Sequence, residues 1–244
     1  MPYKKLKIEV RDRVGYLLLQ SGSRFNKLSI NTLRELKRAF VELEGDPAVV
    51  CIVLSGYPGE SFAVGADIGQ MLHFAPADAL AFAELGQSLF GAMEACKKPI
   101  IGALNGITMG GGCDLALACD IRLATESLQI AHPGSKLGII TGFCGTQKLP
   151  RLVGKNSARE IFMTAELYSA AEALRMGLVN RVYAAGEFWR EVEGFAARIA
   201  ANPPLALCSA KRVINAAEDL DLTNGCLLEH AAFTALFACA KLEK

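Results

Sequence analysis

KPIIGALNGITMGGGCDLALACDIR, residues 98–122, reads as a buried strand over 99–105, a turn at Gly110, Gly111 and Gly112, and a short apolar helix over 113–119. Three consecutive glycines let the backbone approach a ligand closely, and at a helix start they leave unpaired N–H groups facing outward. Such groups stabilise an electron-rich oxygen. Asp114 is the only charge between Lys98 and Asp120, so its carboxylate stands beside those donors. The pattern describes an oxyanion site with an acid/base next to it. The plainer alternative is a tight strand-to-helix turn in which Asp114 merely complements the helix start. Neither GxGxxG nor GxxxxGK(S/T) occurs here, which disfavours a phosphate cradle.

Upstream, residues 6–10 and 14–20 flank Asp12-Arg13 as a hairpin or two adjacent strands. Ser29 opens a helix whose Leu33, Leu36, Phe40 and Leu43 keep helical spacing and which Gly45-Asp46-Pro47 closes. Residues 49–55 form an apolar run of strand length, as expected where both faces are covered. The loop 56–67 carries three glycines and returns to the core at Phe62-Ala63-Val64, and a helix follows over 77–95. The strand-then-helix unit therefore comes twice, each time with a glycine-bearing turn.

Downstream lie short strands at 121–124 and 128–131, then His132-Pro133-Gly134 and a Gly/Thr-rich turn at 138–145. Asn156 or Ser157 is placed to cap one helix, and Ser169 with Glu172 has capping-box spacing for a second that ends at Gly177. Residues 178–183 read as a last strand. Two long helices follow, one after Pro203-Pro204 and one over 227–240. The last is apolar on nearly every side, including Phe233, Leu236 and Phe237, and needs cover. A second subunit is the natural partner, so a homo-oligomer is expected.

With 52% hydrophobic residues, 244 positions suffice for a sizeable core. Twenty-six basic against 25 acidic residues give no bulk attraction to nucleic acid or to an anionic membrane. No apolar signal core opens the sequence, and 231–240 is too short to span a bilayer. Eight cysteines without CxxC or CxxH spacing suggest buried reduced thiols in a cytoplasmic protein, with no metal site.

Several segments together resemble one family, the crotonase superfamily of enoyl-CoA hydratases and isomerases. They are Arg24-Phe25-Asn26-Lys27-Leu28, FAVGADI at 62–68, the stretch at 98–121, KLGIITGFCGTQKLPRLVGK at 136–155, the helix from Ser169, and Gly177-Leu178-Val179. Their order and spacing cover nearly the whole chain. The resemblance implies an α/β fold of the ClpP/crotonase-like type: a spiral of repeated ββα units over 1–185. A helical trimerisation region over 186–244 completes it, giving a homotrimer or a hexamer, a dimer of trimers. It also implies a coenzyme A thioester as substrate and no tightly bound cofactor. The thioester carbonyl oxygen would sit between the backbone N–H groups of Ala66 and Gly111, which stabilise an enolate. The bent CoA would lie on Arg24, Phe25, Val64, Ala66, Asp67 and Ile68.

The family's hydratases hold a water between two glutamates, which by resemblance fall at Asp114 and Gly134. The usual Gln-Pro-Glu at the second is His132-Pro133-Gly134 here, so the second carboxylate is absent. Asp114 is one methylene shorter than glutamate, reducing its reach by ~1.5 Å. A positioned acid or base contributes about 10²–10⁴ in rate, so efficient ordinary hydration is not expected. His132 is the candidate helper, its alternative being a structural role. Ser135, Thr141 and Cys144 are expected as turn or packing residues, and Glu60 as a carboxylate able to swing inward. His73 and His230 are expected in helices. Some decarboxylating relatives use a C-terminal-helix histidine, whereas His230 reads better as a subunit contact.

Gly134 and Lys136 also resemble the naphthoate synthase branch, where a glycine leaves room for bicarbonate, but that branch carries aspartate where Thr141 stands. Family members usually continue beyond the position of Lys244 into a helix that covers the pocket. The helix at 77–95 and the loop at 138–145 are expected to shape that pocket. Two functional classes follow: an enzyme working through an enolate with Asp114 as its acid/base, where isomerisation needs less than hydration, or an acyl-CoA binder that kept the fold.

Overall fold

Apolar strands with both faces covered call for parallel sheets with helical connections. In the computed structural model, which describes residues 2–22 and 24–239, that requirement is met by two sheets. Residue 240, the end of the expected last helix, lies outside the described residues.

A hairpin, β1 (Leu6–Arg11) and β2 (Val14–Leu19), and helix α1 (Ile30–Gly45) precede three similar turns of chain. The first turn is β3 (Cys51–Ser55), β4 (Ser61–Ala63), a short α2 (Ile68–Met71) and α3 (Pro76–Ala95). The second is β5 (Ile100–Leu104), β6 (Ile107–Met109) and α4 (Gly111–Leu117). The third is β7 (Ile121–Thr125), β8 (Gln129–Ala131), a 3-10 turn (Pro133–Leu137) and α5 (Gly145–Thr164). There follow β9 (Tyr168–Ser169), α6 (Ala170–Arg175), β10 (Arg181–Tyr183), α7 (Phe188–Ala200), α8 (Pro204–Ala216) and α9 (Leu222–Cys239).

The first strand of each turn enters a six-stranded sheet, β1-β2-β3-β5-β7-β10, and the second enters a four-stranded sheet, β4-β6-β8-β9. Successive turns stack in parallel, with Ile52 opposite Ile100, Ile101 opposite Ile121, and Thr108 opposite Ile130. This is the repeated ββα spiral expected from the resemblance. Leu17, Leu36, Phe40, Phe62, Leu89 and Phe90 form the main core between the layers. On the other face of the larger sheet, Phe188, Val192, Ala196 and Ala200 of α7 bury Val53, Ile101 and Leu123.

The α1 reading holds: Leu33, Leu36, Phe40 and Leu43 are buried, and the Ser29 side chain accepts from Thr32 N. Ser169 and Glu172 form the capping box, with Gly177 at φ +77 beyond the helix end. Elsewhere the boundaries move. The helix expected over 113–119 starts at Gly111, and β6 and α7 were not foreseen. Helix α5 starts at Gly145 and breaks at Gly154, where φ is +78, so its second segment begins just before the expected cap at Asn156 or Ser157. The first residue of α5, Gly145, packs against Asp114, where a Cβ would come 1.9 Å from Oδ1. His73 lies in the turn after α2 rather than in a helix.

Candidate active site

Two loops meet backbone to backbone. After β4 the chain turns at Gly65, with φ +84, and a Cβ there would lie 2.9 Å from both Gly111 N and Met109 O. A Cβ on Gly112 would lie 2.0 Å from Ala63 O. Only glycine allows this approach. Leu28 N donates to Gly65 O (2.7 Å) and Val64 N to Asn26 O (2.8 Å), fixing the first loop, while Gly110 N donates to Ala131 O (2.9 Å), fixing the second. Among the described residues no backbone carbonyl accepts from Ala66 N or Gly111 N.

Asp114 is 1% exposed in the first turn of α4. Its Oδ1 lies 3.1 Å from His132 Nε2, and its Oδ2 accepts from the Thr141 hydroxyl at 2.5 Å. Thr141 Oγ1 accepts in turn from Phe143 N (3.1 Å). His132, equally buried, packs its ring against Phe162 in a tilted pair with centroids 4.5 Å apart, and its Nδ1 has no partner among the described residues. Ala66, Gly111, Asp114, His132, Gly134 and Thr141 line one cavity of about 240 Å³. Its apolar walls include Phe82 from α3 and Phe143 from the 138–145 loop, as expected, together with Met71 and Phe74.

Gly134 reaches this cavity without a side chain. A Cβ there would lie 2.9 Å from Ile139 O, because Ile139 N donates to Gly134 O (3.1 Å) and closes the turn. Thr141 was expected as a turn or packing residue; it is in fact the residue that holds Asp114. The two lie 27 residues apart and share no local motif. Ser135 sits in the 3-10 turn, and Cys144 heads α5 with φ +66.

Val64 and Ile68 line the cavity, whereas Arg24, Phe25 and Asp67 do not. Arg24 Nε pairs with Glu60 at 2.8 Å, its guanidinium 5.1 Å from the Phe25 ring. Glu60 is thus held by Arg24 at the exposed surface. Asp67 pairs with Lys27 (3.2 Å) and caps α2 at Gly69 N. Burial pushes the Cys113 thiol up beside Asp114, and the Cys144 thiol up as well, which disfavours either as a nucleophile. Among the described residues no group of three His, Cys, Asp or Glu side chains is arranged to hold a metal ion.

Two sheets wound together as ββα turns, with terminal helices packed on them, make this a crotonase-fold protein. The family model for enoyl-CoA hydratase/isomerase matches residues 9–244, and the chain belongs to that family. It is 38% identical over 238 residues to crotonyl-CoA hydratase of Syntrophomonas wolfei, covering 98% of this chain and 92% of the relative. It is 36% identical over 231 residues to short-chain-enoyl-CoA hydratase of Clostridium acetobutylicum, covering 95% and 88%. Among solved structures, enoyl-CoA hydratase from Bacillus anthracis superposes with a TM-score of 0.93 at 30% identity, covering 98% of this chain and 92% of that one.

Proposed function

We propose that this protein converts enoyl-CoA thioesters through an enolate, with the N–H groups of Ala66 and Gly111 as the oxyanion hole and Asp114 as an acid/base. The observation that carries the reading is the backbone contact between Gly65 and Gly111, which sets two N–H groups without backbone partners beside a buried carboxylate in one cavity. A thioester oxygen held there gains two donors as negative charge develops, and removing one such donor typically costs about 10²–10³ in rate.

In hydration, the water oxygen bonds to Cβ, the Cα=Cβ electron pair moves onto the thioester oxygen, and the water proton passes to a protein base. The enolate then takes a proton at Cα. Isomerisation uses the same hole, the proton leaving Cγ and returning to Cα. The hydratase names of the relatives support the first route. Arg24, Phe25, Val64, Ala66, Asp67 and Ile68 would receive the CoA, with no tightly bound cofactor. A homotrimer or hexamer built through α8 and α9, in the cytoplasm, completes the proposal. The exposed Phe233 and Phe237 support that assembly.

Loss of the conjugated-thioester absorbance of crotonyl-CoA tests the reading. Turnover by the wild type, reduced about 10²–10⁴ in Asp114→Asn with acyl-CoA binding retained, is the expected result. Binding without turnover of any enoyl-CoA would instead make this an acyl-CoA-binding homologue. The naphthoate-synthase-like alternative has less support, since Thr141 stands where an aspartate is needed, and His230, on α9, falls in the helix assigned to the subunit contact.

A further inference from the structure

We infer that His132 is a catalytic residue, the second acid/base of the site, taking its proton at Nδ1 while Asp114 holds its Nε2–H. The inference rests on the enolate reading above and names the group that does the work of the absent second carboxylate.

Asp114 and His132 are the titratable side chains that line the reaction cavity. No carboxylate fits at Gly134 as the turn stands, since a Cβ there already meets Ile139 O at 2.9 Å. Acid/base work beyond Asp114 therefore falls to His132. Its backbone position is fixed by the spiral: Met109 pairs with Ala131, and Gly110 N donates to Ala131 O, so His132 follows directly beside the glycine turn.

The hydrogen bonds select its tautomer. A carboxylate can only accept, so the bond between Asp114 Oδ1 and Nε2 puts the ring proton on Nε2 and leaves the lone pair on Nδ1. Asp114 is itself fixed, because Thr141 donates to its other oxygen and is anchored by Phe143 N. A carboxylate so held orients an imidazole and stabilises the imidazolium that forms on protonation. Nδ1, buried and without a partner among the described residues, is then the ring nitrogen left to take a proton. A buried polar atom left unpaired is unfavourable, and in the proposed step the reacting water is the partner that satisfies it.

In the resulting step the water proton goes to Nδ1 as its oxygen bonds to Cβ and the Cα=Cβ pair moves to the thioester oxygen. The Asp114–His132 pair, now carrying one extra proton, returns a proton to Cα as the enolate collapses. Protons and electron pairs balance, and the pair ends the cycle as it began.

The test is His132→Gln, whose amide N–H can still donate to Asp114 but cannot carry a proton. Crotonyl-CoA hydration should lose about 10²–10⁴ in kcat with KM little changed. His132→Ala should lose a similar amount and regain part of it with added imidazole, which leaves the wild type unaffected. Retention of kcat within about threefold in His132→Gln, or no imidazole rescue of a folded, butyryl-CoA-binding His132→Ala, overturns the assignment. If the wild type hydrates no enoyl-CoA, deuterium exchange at Cα of butyryl-CoA in heavy water takes over as the readout. Exchange lost in His132→Gln supports the role and equal exchange overturns it. No exchange in the wild type overturns the enolate reading and this assignment with it.

Discussion

At Asp114 four side-chain and backbone choices converge. Gly145 makes room for Oδ1, His132 meets that oxygen, Thr141 meets Oδ2, and Phe143 N holds Thr141 in place. Thr141→Val removes the hydroxyl while keeping its shape, leaving a buried carboxylate oxygen and a backbone N–H short of a partner. Loss of such bonds costs about 1–3 kcal/mol, which urea unfolding will read, and kcat should fall with it while acyl-CoA binding persists. Gly134→Glu is the opposite kind of change. It supplies the carboxylate the resemblance calls for, yet its Cβ collides with Ile139 O. We expect a lower melting temperature and no gain in crotonyl-CoA hydration.

At the level of elements, legibility followed periodicity. Helix α1 shows its buried stripe and its Ser29 cap in the sequence, and the strands over β3 and β5 show as apolar runs. Strand β6 has three residues, too few for alternation to register, although it positions Gly110 and Gly111. The start of α5 carries no side-chain cap and lies against Asp114, far along the chain, so no local signal marks it. Within the site, Asp114 and His132 stood out as charged or titratable residues in apolar surroundings, whereas Thr141 carried no such signal. Helix α7 was missed too, although its Phe188 and Val192 seal the outer face of the larger sheet. Phe188→Ala should therefore cost about 3–5 kcal/mol in urea unfolding, since the sheet cannot close the hole left behind.

Across the whole molecule, burial governs chemistry as well as stability. Lys211 of α8 is 8% exposed, pairs with Asp120 at 2.8 Å, and donates to Met93 O and Lys98 O, tying α8 to α3 and to the chain just before β5. Burial pushes the Cys51 and Cys119 thiols up to about 12 from an ordinary 9.0. Between those values the unfolded chain releases thiol protons that the folded chain keeps, so stability falls as pH rises. The urea midpoint should drop above pH 9 for this reason, and replacing Cys51 and Cys119 with alanine should flatten that slope. At neutral pH a thiol reagent should leave Cys51, Cys113 and Cys119 untouched until denaturant is added.

The smaller sheet is only four strands wide, yet the proposed reaction centre hangs from three consecutive ones: Ala66 follows β4, Gly111 follows β6, and His132 follows β8. Neighbouring strands stand about 4.8 Å apart, a gap across which two N–H groups can share one oxygen at about 2.9 Å each. The pitch of the spiral thus acts as a ruler for the chemistry. Side chains around the pocket can drift widely in sequence without changing that spacing, so substrate preference can diversify while the carbonyl seat stays in register.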